Sequence, residues 1–280
     1  MTGPLDEKYE HLAETLKKYG RLALAFSGGV DSAFLLKSAR EALPLESLLA
    51  VTARAAIFPG WESQEAAALT EALGVRHLVV DFDALATPHL ADNPPDRCYH
   101  CKKSLFQKLI IEAEKLGFPV VADGGNLDDL DDFRPGARAT RELGIVSPLK
   151  SAGLTKNDIR ELSAGLNLPT WNKPAFACLA SRFPYGQIIT EDKLKMVERA
   201  EEYLLGRGFR EVRVRHHGQV ARIEVGSEER SRFFDEDFMS RVEKELRSFG
   251  FDFVALDLGG FRSGGFNRAV DQATMDKYKQ

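Results

Sequence analysis

Residues 22–32 read Leu22-Ala23-Leu24-Ala25-Phe26-Ser27-Gly28-Gly29-Val30-Asp31-Ser32, an apolar run closed by a serine- and glycine-rich turn that opens into a second apolar stretch. The run predicts a buried strand and the stretch from about Ser32 to Ala42 a helix. Small residues between a strand and a helix let backbone N–H groups approach a pyrophosphate, and the helix N-terminus adds favourable partial charge. Ser27, Gly28, Gly29, Asp31 and Ser32 are therefore candidate phosphate-site residues, and the Asp31 carboxylate is a natural ligand for Mg2+. The turn lacks the Gly-Lys-Ser/Thr ending of a Walker loop, so a grip on a γ-phosphate is not implied.

Working outward, Leu5–Tyr19 has helical spacing, while Leu48–Thr52, His77–Asp81 and Pro119–Ala122 read as short buried strands. Helices expected over Trp61–Leu73 and Lys102–Leu116 separate them. Strands alternating with helices predict an α/β parallel sheet covered on both faces, with its site at the carboxyl ends, where Ser27, Asp81 and Asp123 fall. From Glu191 the rhythm changes. A helix to Leu205, strands at 212–215 and 220–225 joined through His216–Gln219, a helix from about Glu228 to Phe249 and a strand over Phe251–Leu256 give an αββαβ unit. Pro174, Pro184 and Gly186 interrupt the pattern near residues 175–185, and the boundary is expected there, with domains at 1–178 and 179–280.

The chain has 280 residues, 44% hydrophobic and 29% charged, with net charge −4. Bulk charge therefore argues against nucleic-acid binding. No apolar run reaches the roughly 18 residues of a membrane span and no signal-peptide pattern opens the chain, so a cytoplasmic protein is expected. Three cysteines in a reducing compartment argue against a disulfide framework.

Cys98-Tyr99-His100-Cys101 is a CxxC pair at a helix start, and Cys178 follows 77 positions after Cys101. Three thiolates suit an iron–sulfur cube with one open iron. The same residues with His100 or His89 suit zinc. The pair alone suits a redox dithiol, and three unrelated buried cysteines are the bland alternative. Gly124 and its neighbours after the fourth strand are candidates to line a nucleotide, Asp128 to assist magnesium or order the loop, and Arg134 to meet an anion. Arg182 is a candidate for a phosphate or carboxylate, and Lys102 for a thiolate or an anionic substrate. Arg213 and Arg215 share one face of a strand, as do Arg222 and Glu224 on its partner. The strand pattern by itself reads as a polar face turned to water.

Ser27–Ser32 resembles the PP-loop of the ATP pyrophosphatases, the adenine nucleotide alpha hydrolase-like fold. Asp131–Gly136, Trp171–Gly186, Val212–Glu224 and Leu256–Gly264 extend the resemblance, over nearly the whole chain, to the pyridinium-3,5-biscarboxylic acid mononucleotide sulfurtransferase (LarE) family. That resemblance implies a PP-loop parallel-sheet domain followed by a smaller α+β domain. It implies ATP and Mg2+ as cofactors, adenylation of a carboxylate of the pyridinium mononucleotide, and displacement of AMP by sulfur in nickel-pincer cofactor synthesis. It makes Cys178 the sulfur-bearing residue and moves Arg213 and Arg215 to the substrate phosphate, with Arg182, Glu224 and Lys102 in the substrate-binding set. With Cys98 and Cys101 present it favours the family version that holds a [4Fe–4S] cluster fed by a sulfide donor. A homo-oligomer is implied, a hexamer being the candidate form. A cluster-dependent tRNA thiolase is the alternative enzyme, and a nucleotide-binding module with a structural zinc the non-enzymatic one.

Overall fold

A computed structural model describes residues 3–130, 135–174 and 177–262. Helix α1 (Pro4–Tyr19) buries Leu12 and Leu16 and stops at Gly20, whose φ of 69° suits a residue without a side chain. Strand β1 (Leu22–Ala25) leads through the glycine turn into α2 (Val30–Ala42), and β2 (Leu48–Arg54), α3 (Gly60–Ala72), β3 (Arg76–Asp81), α4 (Arg97–Lys115) and β4 (Val120–Ala122) follow. The four strands are all parallel, in the order β3-β2-β1-β4, and Val146 adds one parallel bridge beside Ala122. The chain runs outward from β1 in both directions, so the crevice beyond the carboxyl ends of β1 and β4 is the topological switch point. Short helices α5 (Pro135–Glu142) and α6 (Pro148–Ser151) and the longer α7 (Lys156–Gly165) complete this region. Leu22, Leu24, Phe34, Leu35, Leu36 and Leu48, all buried, form the centre of its core. Each such side chain contributes roughly 1.5–3 kcal/mol by leaving water.

The second region holds α8 (Glu191–Gly206), β5 (Val212–His217), β6 (Val220–Val225), α9 (Glu236–Ser248) and β7 (Phe253–Leu256). Its sheet has the order β5-β6-β7, with β5 antiparallel and β7 parallel to β6. This is the αββαβ order expected from the sequence. The chain clusters into two compact units, the first containing the stretches up to Ala84 and from Cys98, the second containing Leu85–Arg97 and the stretch from Ala177. Asn93 explains why the short segment joins the second unit. Its side-chain amide donates to the carbonyls of Phe183 and Pro184, and its own carbonyl accepts from Gly186 N–H.

Several expected boundaries differ, among them the strand expected from Phe251, which begins at Phe253. Helix α4 starts five residues before Lys102, so both cysteines of the CxxC lie inside its first turns. The hairpin turn is two residues, Gly218 at φ 65° and Gln219, and His216 and His217 belong to β5. The long helix expected over 228–249 is broken, because Asp235 accepts the Phe238 N–H and caps α9 there, leaving a 3-10 segment before it. No described helix is long and apolar enough to cross a membrane.

Candidate functional site

In the first unit the site is made of backbone. Gly28 has φ 71°, and a side chain there would press on Ala66 at 3.4 Å. Ser27 and Ser32 hydroxyls lie 3.1 Å apart, and Ser32 Oγ also donates to the Gly29 carbonyl at 3.1 Å, tying the turn to α2. After β4, Gly124 approaches so closely that a Cβ would stand 3.1 Å from Ser32 N. Asp123 Oδ1 holds this second loop by accepting from Ser147 Oγ at 2.6 Å and Gly125 N at 3.0 Å. Asp128 orders the same region, its Oδ2 accepting from Lys156 N at 2.8 Å. Both loops thus meet at the switch point, with N–H groups offered by the start of α2.

Asp31 stands in the first turn of α2. Lys156 Nζ donates to its Oδ2 at 2.5 Å, while Oδ1 is buried with no hydrogen-bond partner. An orphaned carboxylate oxygen beside a phosphate turn fits a Mg2+ ligand, since a hard cation takes such oxygens. Asp81, by contrast, ends β3 in an exposed ion pair with Arg54 at 2.6 Å. Arg134 lies outside the described residues, as do Asp131, Asp132, Phe133, Ala175, Phe176, Ser263 and Gly264.

Cys98 and Cys101, half-buried and without a disulfide, are three residues apart on α4 and so share one side of it. The start of α4 is pinned by Tyr99, whose hydroxyl donates to Glu142 Oε2 at 2.7 Å while Lys103 and Arg138 reach the same carboxylate. Those donors, Tyr99 first, pull the Glu142 carboxyl down to about 2. Lys102 is exposed and its stem lies against Gly136. Among the described residues no three Cys, His, Asp or Glu side chains gather as a set able to hold a metal ion.

In the second unit the site is made of buried charge. Arg182 is completely buried, and its Nε and Nη2 meet Glu201 at 2.8 and 2.6 Å in a two-pronged ion pair. Its Nη1 donates to the carbonyls of Ala177 and Cys178 at 2.6 and 3.1 Å, so the fork fixes the backbone that carries the Cys178 thiol. Arg215 donates to the Ser181 carbonyl and to Glu224 Oε2, both at 2.8 Å. Arg213 lies over the Phe261 ring and donates to the Val212 carbonyl. The face of β5 bearing Arg213 and Arg215 is buried, so the water-facing reading of that pattern does not hold. Burial first, then the nearby Arg182 and Arg215, lower Arg213 to about 10, partly opposed by Glu201 and Glu224. Three guanidiniums set around two carboxylates make this a cationic interior, the electrostatic setting for a phosphate.

No family model matches the chain. It is 40% identical over 97% of its length to the pyridinium-3,5-bisthiocarboxylic acid mononucleotide synthase of Lactiplantibacillus plantarum, covering 98% of that protein. The chain belongs to that LarE family. A protein of Synechocystis described as uncharacterised is also 40% identical, over 95% of the chain and 99% of its own length. A tRNA-specific 2-thiouridylase of Azorhizobium caulinodans is 28% identical over 55% of the chain and 49% of its own length, in keeping with the PP-loop fold of LarE proteins.

Sequence reasoning passed over Glu201, Lys156 and Lys173. Glu201 sits in an ordinary acidic stretch of α8, Ala200-Glu201-Glu202, and nothing in the spacing separates it from its exposed neighbour. Lys173 stands inside Trp171–Gly186, a stretch singled out for its resemblance, but as a single lysine it carried no signal of its own.

Proposed function

We propose that this LarE-family chain is an ATP-dependent sulfurtransferase acting on pyridinium-3,5-biscarboxylic acid mononucleotide. The observation that carries the reading is a phosphate turn with an orphaned Asp31 oxygen in the same chain as a buried guanidinium set that grips the Cys178 backbone.

The residues divide the work as follows. Backbone groups of Ser27, Gly28, Gly29 and Gly124, with the Ser32 turn of α2, receive the phosphates of ATP, and Arg134 is assigned to the same nucleotide. Asp31 would hold Mg2+ through its Oδ1, and the ion would supply neutralising charge on the phosphates. A substrate carboxylate oxygen attacks the α-phosphorus, and the bond to the bridging oxygen breaks with its electron pair leaving on pyrophosphate. A sulfur nucleophile at Cys178 then attacks the acyl carbon, and AMP departs with the electron pair of the mixed-anhydride bond. Where the nucleophile is the Cys178 thiolate itself, the thioester so formed releases the thiocarboxylate by β-elimination, the Cα proton going to a base and the Cβ–S electron pair leaving on sulfur, so that dehydroalanine remains. A carboxylate alone is a poor electrophile, and the acyl-adenylate provides the leaving group. Arg213 and Arg215 take the mononucleotide phosphate, Glu224 orients Arg215, and Lys102 faces the remaining anionic charge. Arg182 positions the Cys178 segment. On this reading residues 1–178 form the domain that binds the nucleotide, with Lys102 and Cys178 assigned to the substrate, and 179–280 the domain that binds the substrate phosphate.

The presence of Cys98 and Cys101 supports the cluster-bearing form of the family, whose [4Fe–4S] centre would take its three thiolates from them and Cys178, although no such set gathers among the described residues. The steps above require only a sulfur nucleophile at Cys178. Anaerobic reconstitution followed by counts of iron, acid-labile sulfide and zinc decides between cluster, zinc and a sacrificed Cys178 sulfur. Light scattering tests the homo-oligomer.

The test of the reaction is pyrophosphate release and thiocarboxylate formation with the mononucleotide present. Cys178→Ala is expected to keep substrate-dependent pyrophosphate release and to lose all thiocarboxylate. Release that ignores the mononucleotide overturns the substrate assignment.

A further inference from the structure

The turn after β7, Asp257-Leu258-Gly259-Gly260-Phe261, has no part in the steps above, although its glycines are too many for a plain strand end. Its shape is fixed by Asp257, whose Oδ1 accepts the Gly259 and Gly260 N–H groups at 2.6 and 3.1 Å. Gly260 then lies hard against β6. At φ 66°, and with its Cβ position only 2.8 Å from the Val225 carbonyl oxygen, it leaves no room for a side chain. Phe261 donates its N–H to that same carbonyl at 2.9 Å, so the sheet itself sets where the ring goes. The ring lies against Arg213, with 5.0 Å between its centroid and Arg213 Cζ.

Followed the other way, Asp257 reaches the second arginine of β5. Its Oδ2 accepts from Arg222 Nη1, which also meets Glu224 Oε1 at 3.0 Å. His217 Nε2 steadies Arg222 by accepting its Nε–H at 3.1 Å. Glu224 Oε2 in turn accepts from Arg215 Nη2 at 2.8 Å. One aspartate therefore heads two arms within the second unit, ending on Arg213 through a ring and on Arg215 through Arg222 and Glu224.

The arms hold their arginines differently from the way Glu201 holds Arg182. That pair is two-pronged and uses one whole edge of the guanidinium. Glu224 meets Arg215 with a single oxygen, because Arg222 engages the other. An aromatic ring covers the face of a guanidinium and makes no claim on its in-plane N–H donors. Both arms thus orient a guanidinium while consuming few of the donors that a phosphate would take.

We propose that the turn at 257–261 is a positioning element of the substrate-phosphate site, Phe261 orienting Arg213 and Asp257 orienting Arg215 through Arg222 and Glu224. The inference rests on the assignment of those two arginines to the mononucleotide phosphate.

Calorimetric titration of the full chain with the pyridinium mononucleotide, and with its dephosphorylated nucleoside, tests it. Phe261→Leu is expected to weaken the mononucleotide about tenfold and Phe261→Tyr less than about twofold, since only the first removes the ring. Asp257→Asn is expected to weaken it about fivefold, and nucleoside affinity stays within about twofold in every variant. Equal losses in Phe261→Leu and Phe261→Tyr, or equal losses for mononucleotide and nucleoside, indicate a merely structural turn and overturn the proposal, as does no loss. Thermal midpoints are read for each variant, and the two positions are measured separately, so a folding failure at one leaves the other to decide. An unaltered chain that binds mononucleotide and nucleoside equally well overturns the phosphate assignment itself, and that outcome involves no variant.

Discussion

After β1 the groups offered to a ligand are peptide N–H groups, aimed by Gly28 at φ 71° and by the first turn of α2. In the second unit the groups proposed for a ligand are the side chains of Arg213 and Arg215, which with Arg182 are at most 6% exposed and interleaved with Glu201 and Glu224. A backbone site is cheap to keep, because N–H groups at a helix start lack intrahelical partners in any case. A site of buried charges costs several kcal/mol per ion in desolvation, which only close pairing and hydrogen bonds offset. The first kind is damaged by adding a methyl group, the second by removing a partner.

That contrast is broken most forcefully at Arg182. Replacing it with Met leaves the Glu201 carboxylate buried without its guanidinium, and the expected loss is about 3–5 kcal/mol in urea unfolding. The double change Arg182→Met with Glu201→Met is expected to recover most of it. A single variant that loses less than about 1 kcal/mol means the interior is wet enough to screen the pair, and the contrast fails.

His216 sharpens the comparison through pH. It is 2% exposed, stacked on Phe183 and hydrogen-bonded to Gln187 at 2.8 Å. Burial first, then Lys193, lowers it from 6.5 to about 4. The unfolded chain binds this proton more readily than the folded one, so the stability it confers is complete above pH 6.5 and is lost as the pH falls toward 4. The full span is about 3 kcal/mol at most. His216→Phe is expected to flatten unfolding free energy between pH 6.5 and 4.5; an unchanged slope assigns the dependence to other groups.

The smallest expected effect is in the backbone site. Gly28→Ala forces a Cβ into the left-handed region at a cost of about 1–2 kcal/mol. Its thermal midpoint falls modestly while ATP affinity falls more, since the turn itself is displaced. A midpoint loss as large as that of Arg182→Met erases the distinction between the two sites.

The same difference governs what the sequence discloses. Strands β1, β2 and β4 are legible because buried parallel strands are short apolar runs, and the turn is legible because its conformation demands glycine at a fixed place. Strand β3 shows a similar run, yet it lies at the sheet edge with Val80 buried and Val79 exposed, so it is not the buried strand expected. Helix α4 is legible only from Lys102, where its apolar spacing begins. Its first turns, from Arg97, depend on Tyr99 meeting Glu142, a contact between positions 43 apart. The break at Asp235 shows only in the structure, where its side chain accepts the Phe238 N–H and starts α9. The Arg182–Glu201 pair has no local sign at all. Charged residues are read by default as solvated, and only the packing of α8 on β5 makes these two interior, with Glu201 also accepting the Val214 N–H at 2.8 Å.

The Arg182 fork also limits which residues are interchangeable. One planar group serves two carboxylate oxygens along one edge and two successive carbonyls along another, with donors spread over several ångströms in a single plane. A lysine carries the same charge, but its three N–H bonds radiate from one atom and cannot span that distance. Exchanging one base for the other at position 182 would therefore preserve the net charge of the interior and still release the segment that bears Cys178, so shape rather than charge makes the position exacting.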